Sequence, residues 1–403
     1  MTQPQGTALG IFLLTYVGVA LGGIPGLRLD RTGAAVVGAA FMVALQVVTP
    51  QQAYAFVDLG TLVLLFGMMV LVGHLRLSGF FRWTGVMLAR RAATPHRLLL
   101  GLVVVAGALS ALFVNDTVCL ALTPLVLEVT AALGVRATPY LIALATASNV
   151  GSVATLTGNP QNMLIGAASG IHYAHFFAAL FPVAAVGLVL DFLVIAAVYR
   201  RDLARPFPAP AHPRVKVHGF LMLKGLAASA VMLAFFFAGA NISIVALTAG
   251  AALLLTRRVK SEKVFVEINW NLLTLFAGLF VVVGAARSAG LAERAFDLLH
   301  ARQVHGVPSL SALAALLSNL VSNVPAVMLF IPLVPQLPDP GRAWLALAMA
   351  STLAGNLTLV GSIANLIVAE GSKRSSPLGF GEYLKVGVPV TLLTLGAGIL
   401  ILS

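Results

Sequence analysis

The sequence predicts an all-α polytopic membrane protein of about eleven transmembrane segments, with two re-entrant hairpins and two broken helices set in inverted repeats. Three observations lead to that class. First, 59% of the 403 residues are hydrophobic and only 9% are charged, and the mean hydropathy is +0.99, a balance foreign to soluble globular domains. Second, two Gly- and amide-rich stretches, Ala147 to Asn162 and Ala350 to Asn365, interrupt apolar sequence of helix length. In lipid, backbone that leaves the helix survives only where protein buries it or a cavity meets it, so a matched pair of breaks points to a transporter's binding site. Third, the basic residues sort onto one side of the membrane once the spans are drawn.

Apolar runs able to cross a hydrocarbon core begin near Ala8, Gly33, Leu59, Leu98, Pro139, Phe176, Phe220, Ile242, Leu272, Leu310, Trp344 and Val386. Helices are expected near 8–22, 33–49 and 57–75, then a basic amphipathic segment to about 97. A re-entrant hairpin bent near Asn115 follows, then a broken helix over 139–170 and a helix over 176–199. Two linking helices, near 219–238 and 241–255, lead into a second copy. The first six residues, Met1 to Gly6, lack the basic region of a signal peptide, so the first apolar run is expected to remain as a helix. Between the copies, the basic, Pro-rich stretch Arg200 to Pro213 reads as a semi-rigid cytoplasmic linker lying against anionic lipid.

With the amino terminus outside, 21 of the 25 Lys and Arg fall inside; only Arg287, Arg294, Arg302 and Arg342 fall outside. One misplaced helix would scramble that bias, which supports a multi-pass protein of the cytoplasmic (inner) membrane with its basic loops in the cytoplasm. The net charge of +12 therefore reports topology. A nucleic-acid partner would require bases clustered on a solvated domain. A lone cysteine, Cys119, excludes a disulfide framework and an all-cysteine metal site within one chain. No Walker A pattern occurs, so ATP is not expected to bind here; a cytoplasmic ATPase subunit on another chain stays open as a partner.

The halves align. Leu62, Leu64, Gly67, Val70, Val72, Gly73 and Gly79 match Leu273, Leu275, Gly278, Val281, Val283, Gly284 and Gly290 at an offset of 211. Leu109, Ser110, Leu112, Asn115, Pro124, Leu125 and Val126 match Leu317, Ser318, Leu320, Asn323, Pro332, Leu333 and Val334 at 208. Ala147, Ser148, Thr155, Leu156, Gly158 and Asn162 match Ala350, Ser351, Thr358, Leu359, Gly361 and Asn365 at 203. Residues 1–56 then supply amino-terminal scaffold helices, 57–200 the first repeat, 201–267 the linker and linking helices, and 268–403 the second repeat. On the charge map the first copy starts outside and the second inside, so the repeats are inverted, as in alternating-access carriers.

Phe113-Val114-Asn115-Asp116-Thr117-Val118 followed by Leu122-Thr123-Pro124, and Gly151-Ser152-Val153-Ala154-Thr155-Leu156-Thr157-Gly158-Asn159-Pro160, resemble the ion transporter superfamily. That group includes ArsB-type arsenite permeases, NhaD-type sodium/proton antiporters, the melanosomal P protein, and dicarboxylate or citrate carriers. Asn115-Asp116 and Ser322-Asn323-Val324-Pro325 are most similar to the arsenite-permease and YbiR-like anion transporter branch. Carboxylate carriers usually show Ser-Asn-Thr at both hairpin tips, from which Val114-Asn115-Asp116 and Ser322-Asn323-Val324 depart. The resemblance, over about residues 8 to 402, implies a scaffold, usually dimeric, and hence a homodimer. It also implies a mobile transport domain that binds substrate where hairpin tips meet breaks. Asn115, Asp116, Thr117, Ser322 and Asn323 are therefore expected to face Thr157, Gly158, Asn159, Thr358, Gly361 and Ser362.

Half-helices ending at mid-membrane leave backbone groups unpaired, N–H at one end and carbonyl at the other, and can hold ions without a formal charge. Ser152, Thr155, Thr157, Asn159, Asn356, Thr358 and Ser362 can complete a shell round a small polar solute; the plainer alternative is that they satisfy only the breaks' own backbone. Asp116 is a carboxylate at a hairpin tip whose counterpart is Val324. An ionisable residue at membrane depth is functional by default, so proton coupling is assigned to Asp116, against the alternative that it caps its helix. Asp191, within a span, is either a second proton site or half of a structural pair. His74 and Glu128 are expected to be solvated at helix ends, Cys119 to pack as a small hydrophobe, and His172 and His175 to lie at the interface rather than bind metal.

The expected function is secondary active transport of a small inorganic solute or anion by alternating access, coupled to H+ or Na+, with arsenite or antimonite efflux as the sharpest case. No enzyme activity and no cofactor beyond the coupling ion are expected. A Na+/H+ antiporter, a sodium-coupled di- or tricarboxylate carrier and, in another class, a passive anion channel are the alternatives.

Overall fold

The computed structural model describes residues 3–24, 28–204, 207, 217–293, 296–297 and 306–403. Arg205, Arg214, Lys216, Arg294 and Arg302 of the charge map, and most of the Pro-rich linker, lie outside these residues.

Helix α1, Gln3–Ala20, is followed by a two-residue antiparallel pairing of Gly23–Ile24 with Leu29–Asp30. Asp30 then caps α2, Arg31–Ala44, by accepting from Gly33 N. The helix expected over 33–49 is in fact two. Gln46 turns to φ 56°, and Thr49 and Gln52 form a capping box that opens α3, Pro50–Phe56, where Pro50 at the first turn cannot continue the preceding helix. Helix α4, Leu59–Ser78, stops at left-handed Gly79. The expected basic amphipathic segment resolves into α5, Phe80–Arg91, ahead of α6, Pro95–Leu112.

From here the chain runs through α7, Asn115–Ala132, α8, Thr138–Ser152, α9, Pro160–Ser169, and α10, Tyr173–Val198. The short α11, Arg200–Leu203, α12, Gly219–Phe237, α13, Ile242–Leu254, and α14, Ser261–Phe265, connect to the second series. That series is α15, Trp270–Ser288, α16, Val307–Val321, α17, Asn323–Phe330, α18, Pro340–Ala354, α19, Ile363–Ser372, and α20, Phe380–Leu402.

Six described helices, α4, α6, α10, α12, α15 and α20, are long and apolar enough to cross a membrane. Helix length alone does not reach the expected eleven spans. Helices α8, α9 and α16 to α19 run only 8 to 15 residues, short of the roughly 20 a plain span requires. The chain breaks at mid-course to bring polar groups together.

Matched positions adopt matched local structure. Asp58 caps α4 by accepting from Thr61 N, and Asn269, at the offset of 211, caps α15 by accepting from Leu272 N. Gly67 lies against the Ala246 backbone and Gly278 against that of Ala35, so either Cβ would strike main-chain atoms. Helices in lipid gain little from hydrophobic transfer and associate through such close approach.

The centre belongs to α8 and α18. Every residue of α8 is buried, as is α18 from Ala343 onward, so neither helix turns a face outward over that length and both belong to the core. Around them the halves exchange partners: α7 packs on α19, α17 on α9, and α10 on α20. Leu13, Leu14, Phe181, Val189, Leu193, Leu223, Phe235 and Leu392 remain exposed on outward faces, the surface a bilayer would cover.

Candidate functional site

The loops 153–159 and 355–362 interrupt α8–α9 and α18–α19, and each break satisfies its own backbone in the same way. In the first, Asn162 Nδ2 donates to the Ser152 and Thr155 carbonyls at 3.1 and 2.9 Å. In the second, Asn365 Nδ2 donates to the Gly355 and Thr358 carbonyls at 2.7 and 3.1 Å, the same positions at the offset of 203. Asn159 caps α9 by accepting from Asn162 N, and its match Ser362 caps α19 by accepting from Ala364 N. Gly158 leaves no room for a Cβ beside the Ser152 backbone, and a Cβ on Gly361 would meet Asn319 Oδ1 at 2.9 Å and the Gly355 carbonyl at 3.0 Å.

These two breaks then interlock across the halves. Asn149 donates to Asn356 Oδ1 at 2.8 Å and Asn365 Oδ1 at 3.1 Å, while its own Oδ1 accepts from Ser362 Oγ at 3.1 Å and Asn115 Nδ2 at 2.9 Å. Asn356 also donates to the Thr146 carbonyl. Thr352, the match of Asn149 at the offset of 203, accepts from Asn159 at 3.2 Å and Gln161 at 3.1 Å and reaches Asn162 Oδ1 at 3.5 Å. All of these side chains are buried. Buried amides with complete partners rigidify a core; stranding one costs about 1–3 kcal/mol.

The hairpin tips dock on this crossing differently. At the first, Asn115 N donates to the Gly158 carbonyl at 2.9 Å. Asn115 Oδ1 accepts from Asp116 N, and Val114, the capping position, offers no side chain to the helix. Asp116 thus stands in the first turn of α7, 9% exposed, and its carboxylate takes no part in capping. At the second tip, Ser322 adopts φ 75° and ψ 157°, a region that is essentially glycine's and costs about 1–3 kcal/mol for other residues. Asn323 Nδ2 lies at the Gly355 turn, and Asn319 Nδ2 donates to the Ala354 carbonyl at 2.9 Å. The Oδ1 atoms of Asn319 and Asn323 are buried and unpartnered, as are the Ser110 and Ser318 hydroxyls one helical turn before the tips.

Of the residues expected to meet, Asn115, Gly158, Asn159, Ser152, Asn356 and Ser362 join the crossing directly, and Asn323 and Gly361 flank it. Thr155 instead donates to the Ala111 carbonyl, and Thr157 bonds the Tyr173 hydroxyl at 3.0 Å rather than facing a tip. Thr358 contributes its carbonyl, not its hydroxyl. Thr117, half-buried, is not drawn into the network.

Asp191 is fully buried, and among the described residues no hydrogen-bond partner is recorded for either carboxylate oxygen. Cys119 donates to Ser148 Oγ at 3.0 Å, and Glu128 pairs at the surface with Arg82. His74, expected in solvent, is buried at 1% exposure, because α4 runs three residues beyond 75 and α12 covers it. Asn149, Gln161, Thr352 and Asn319 escaped sequence reasoning. For Asn149, the signal was an amide placed mid-helix in otherwise small and apolar sequence.

Comparison with known proteins agrees with this architecture. Residues 16–341 match the citrate transporter family, CitMHS. The chain is 32% identical to a silicon efflux transporter, LSI3, of Oryza sativa subsp. japonica, over 97% of this chain and 96% of that one. It is 30% identical to an uncharacterized transporter of Mycobacterium tuberculosis, over 96% and 95%. A putative transporter, arsB, of Dictyostelium discoideum is 25% identical over 93% and 87%. Among solved structures, the YdaH transporter of Alcanivorax borkumensis shares the fold with a TM-score of 0.61 at 17% identity, covering 100% of this chain and 98% of that one. The chain is a multi-pass membrane transporter that belongs to the citrate transporter family of the ion transporter superfamily.

Proposed function

We propose that this transporter moves a small, neutral, hydroxyl-bearing inorganic solute by alternating access, coupled to protons through Asp116. Silicic acid and arsenous acid are the leading cases, the first suggested by the silicon efflux relative and the second by the arsB-like relative. The observation that carries this reading is the set of unfilled acceptors at the second tip, Asn319 Oδ1 and Asn323 Oδ1. An acceptor calls for an O–H donor, which a metalloid hydroxide supplies on every side and a carboxylate group does not. Moreover, among the described residues no Lys or Arg side chain is bonded into the crossing, so a di- or tricarboxylate would be held by amides, hydroxyls and helix ends alone. Citrate, which names the family, is thereby the less favoured substrate.

In this reading α6–α7 and α16–α17 are re-entrant hairpins, and the repeats 57–200 and 268–403 are inverted about the crossing. Residues 1–56 and the helices of 201–267 form the scaffold of a homodimer, and the amino terminus lies outside the cytoplasmic membrane. Asp116 supplies the one titratable group at a tip, 9% exposed, and its match Val324 supplies none.

The test is uptake and efflux in proteoliposomes under imposed proton and sodium gradients, with silicic acid, arsenite, sulfate and citrate compared. Proton-driven movement of silicic acid or arsenite, abolished by Asp116→Asn, is expected. Citrate transport driven by sodium, or conductance without a counter-gradient, would overturn the reading.

A further inference from the structure

Asp191 sits in α10, fully buried, with both oxygens unpartnered. The Thr146 hydroxyl of α8 lies beside it but donates to the Ile142 carbonyl at 2.9 Å. Tyr383 of α20 is also fully buried with an unpartnered hydroxyl, and it stands within electrostatic reach of both Asp191 and Cys119. A tyrosine hydroxyl in a core usually finds a partner, and a buried charge left unpaired costs several kcal/mol.

The other half lacks this arrangement. Pro182 and Pro389, inside α10 and α20, align the two helices at an offset of 207. Under that offset Asp191 corresponds to Gly398 and Tyr383 to Phe176, while Thr146 corresponds to Met349 at 203. Gly398 indeed faces the Met349 sulfur, which a Cβ there would strike. One half therefore holds a carboxylate, a phenol and a hydroxyl where the other holds glycine, a phenyl ring and a thioether. Packing is satisfied by the apolar set in one half, so packing alone does not account for the polar set in the other, and an ionisable residue at membrane depth is functional by default.

The cluster touches the crossing at one point. Asn356 Nδ2 donates to the Thr146 carbonyl at 3.2 Å. The Asn356 carbonyl lies against Gly387, beside the Tyr383 ring, and Asn356 Oδ1 receives the bond from Asn149.

We propose that Asp191, Tyr383 and Thr146 form a second proton site, present in one half only, whose occupancy reaches the solute-binding crossing through Asn356. Its purpose rests on the transport reading above; its existence does not. A proton needs a single acceptor, and when it leaves, the Tyr383 O–H is an unpartnered donor within electrostatic reach of the carboxylate. A metal cation would demand more oxygens than this trio presents. Among the described residues, Tyr383 is the ionisable group within electrostatic reach of Asp191, and Tyr383 is in turn within reach of Cys119. On the other helices packed against α10, His96 and Arg97 of α6 and Arg342 of α18 sit in first turns, and Lys224 of α12 binds the Ala252, Leu253 and Leu255 carbonyls.

Infrared difference titration of the full chain in lipid vesicles, with no solute present, tests the site. Asp191→Asn should remove one titrating carboxylic-acid band that Asp116→Asn retains. Tyr383→Phe, which keeps the carboxyl group, should shift that band and its midpoint, and sodium at constant pH should leave it unmoved. A band that survives Asp191→Asn, or one that sodium titrates away, overturns the proposal. In proteoliposomes, accumulation of silicic acid or arsenite driven by a pH gradient should fall about tenfold in Asp191→Asn while solute exchange at equal pH persists. If no solute is transported at all, the function reading fails and the infrared result still decides the site.

Discussion

At the first hairpin tip, Val114 rests at φ −60° and ψ 121°, and Asn115 spends both its amide and its backbone N–H on the crossing. At the second, Ser322 is held at φ 75° and ψ 157°, and Asn323 keeps its carbonyl oxygen open. The tips occupy matched positions at the offset of 208, so the difference is not one of fold. It separates two tasks: the first tip anchors a carboxylate to a finished network, and the second presents unfinished acceptors on strained backbone.

The sharpest way to break this comparison is at the crossing. Asn149→Leu strands Asn115, Ser362, Asn356 and Asn365 together and should cost about 3 kcal/mol or more, whereas Thr352→Val, which removes one hydroxyl, should cost about 1–2 kcal/mol. Thermal unfolding in detergent measures both, and equal losses would show that the halves share the load evenly. The breaks themselves come next. Gly158→Ala drives a Cβ into the Ser152 backbone and should cost about 2–3 kcal/mol; Gly361→Ala meets the movable Asn319 side chain as well as the Gly355 carbonyl and should cost about 1 kcal/mol.

A smaller and opposite pair tests the strain. Ser322→Gly should raise the unfolding midpoint by the equivalent of about 1 kcal/mol, while Val114→Gly should lower it by a similar amount. The least disruptive variants, Asn319→Ala and Asn323→Ala, should weaken silicic acid or arsenite binding by about three- to tenfold each. Asn115→Ala should instead lower stability with little change in KM. If Asn115→Ala raises KM as much as Asn323→Ala does, the division of labour is wrong.

Much of this was legible beforehand, because it depends on local sequence. The breaks announced themselves through Gly158, Asn159 and Gly361, and the repeat through matched Asn, Pro and Gly positions. What sequence did not disclose depends on the register between α8 and α18. Asn149 and Thr352 mean little until the helices cross and each meets the other half's break. Thr157 looked like a tip contact because it sits in the break, yet Tyr173 from the next helix claims its hydroxyl. The backbone of Ser322 follows from closing α16 onto α17 without a glycine, a constraint no pattern of apolar residues expresses.

Asn149, Asn356 and Asn365 on one side of the crossing, with Asn159, Gln161 and Thr352 on the other, fasten the two halves with hydrogen bonds of 2.8 to 3.2 Å. Pulling the halves apart would expose several amides at once to a medium that offers no replacement partners. Rocking one repeat against the other is therefore the stiff coordinate of this molecule. For the alternating access proposed above, the softer coordinate is expected to be movement of the joined core, α8, α9, α18 and α19 together with the hairpin tips bonded to them, as one piece.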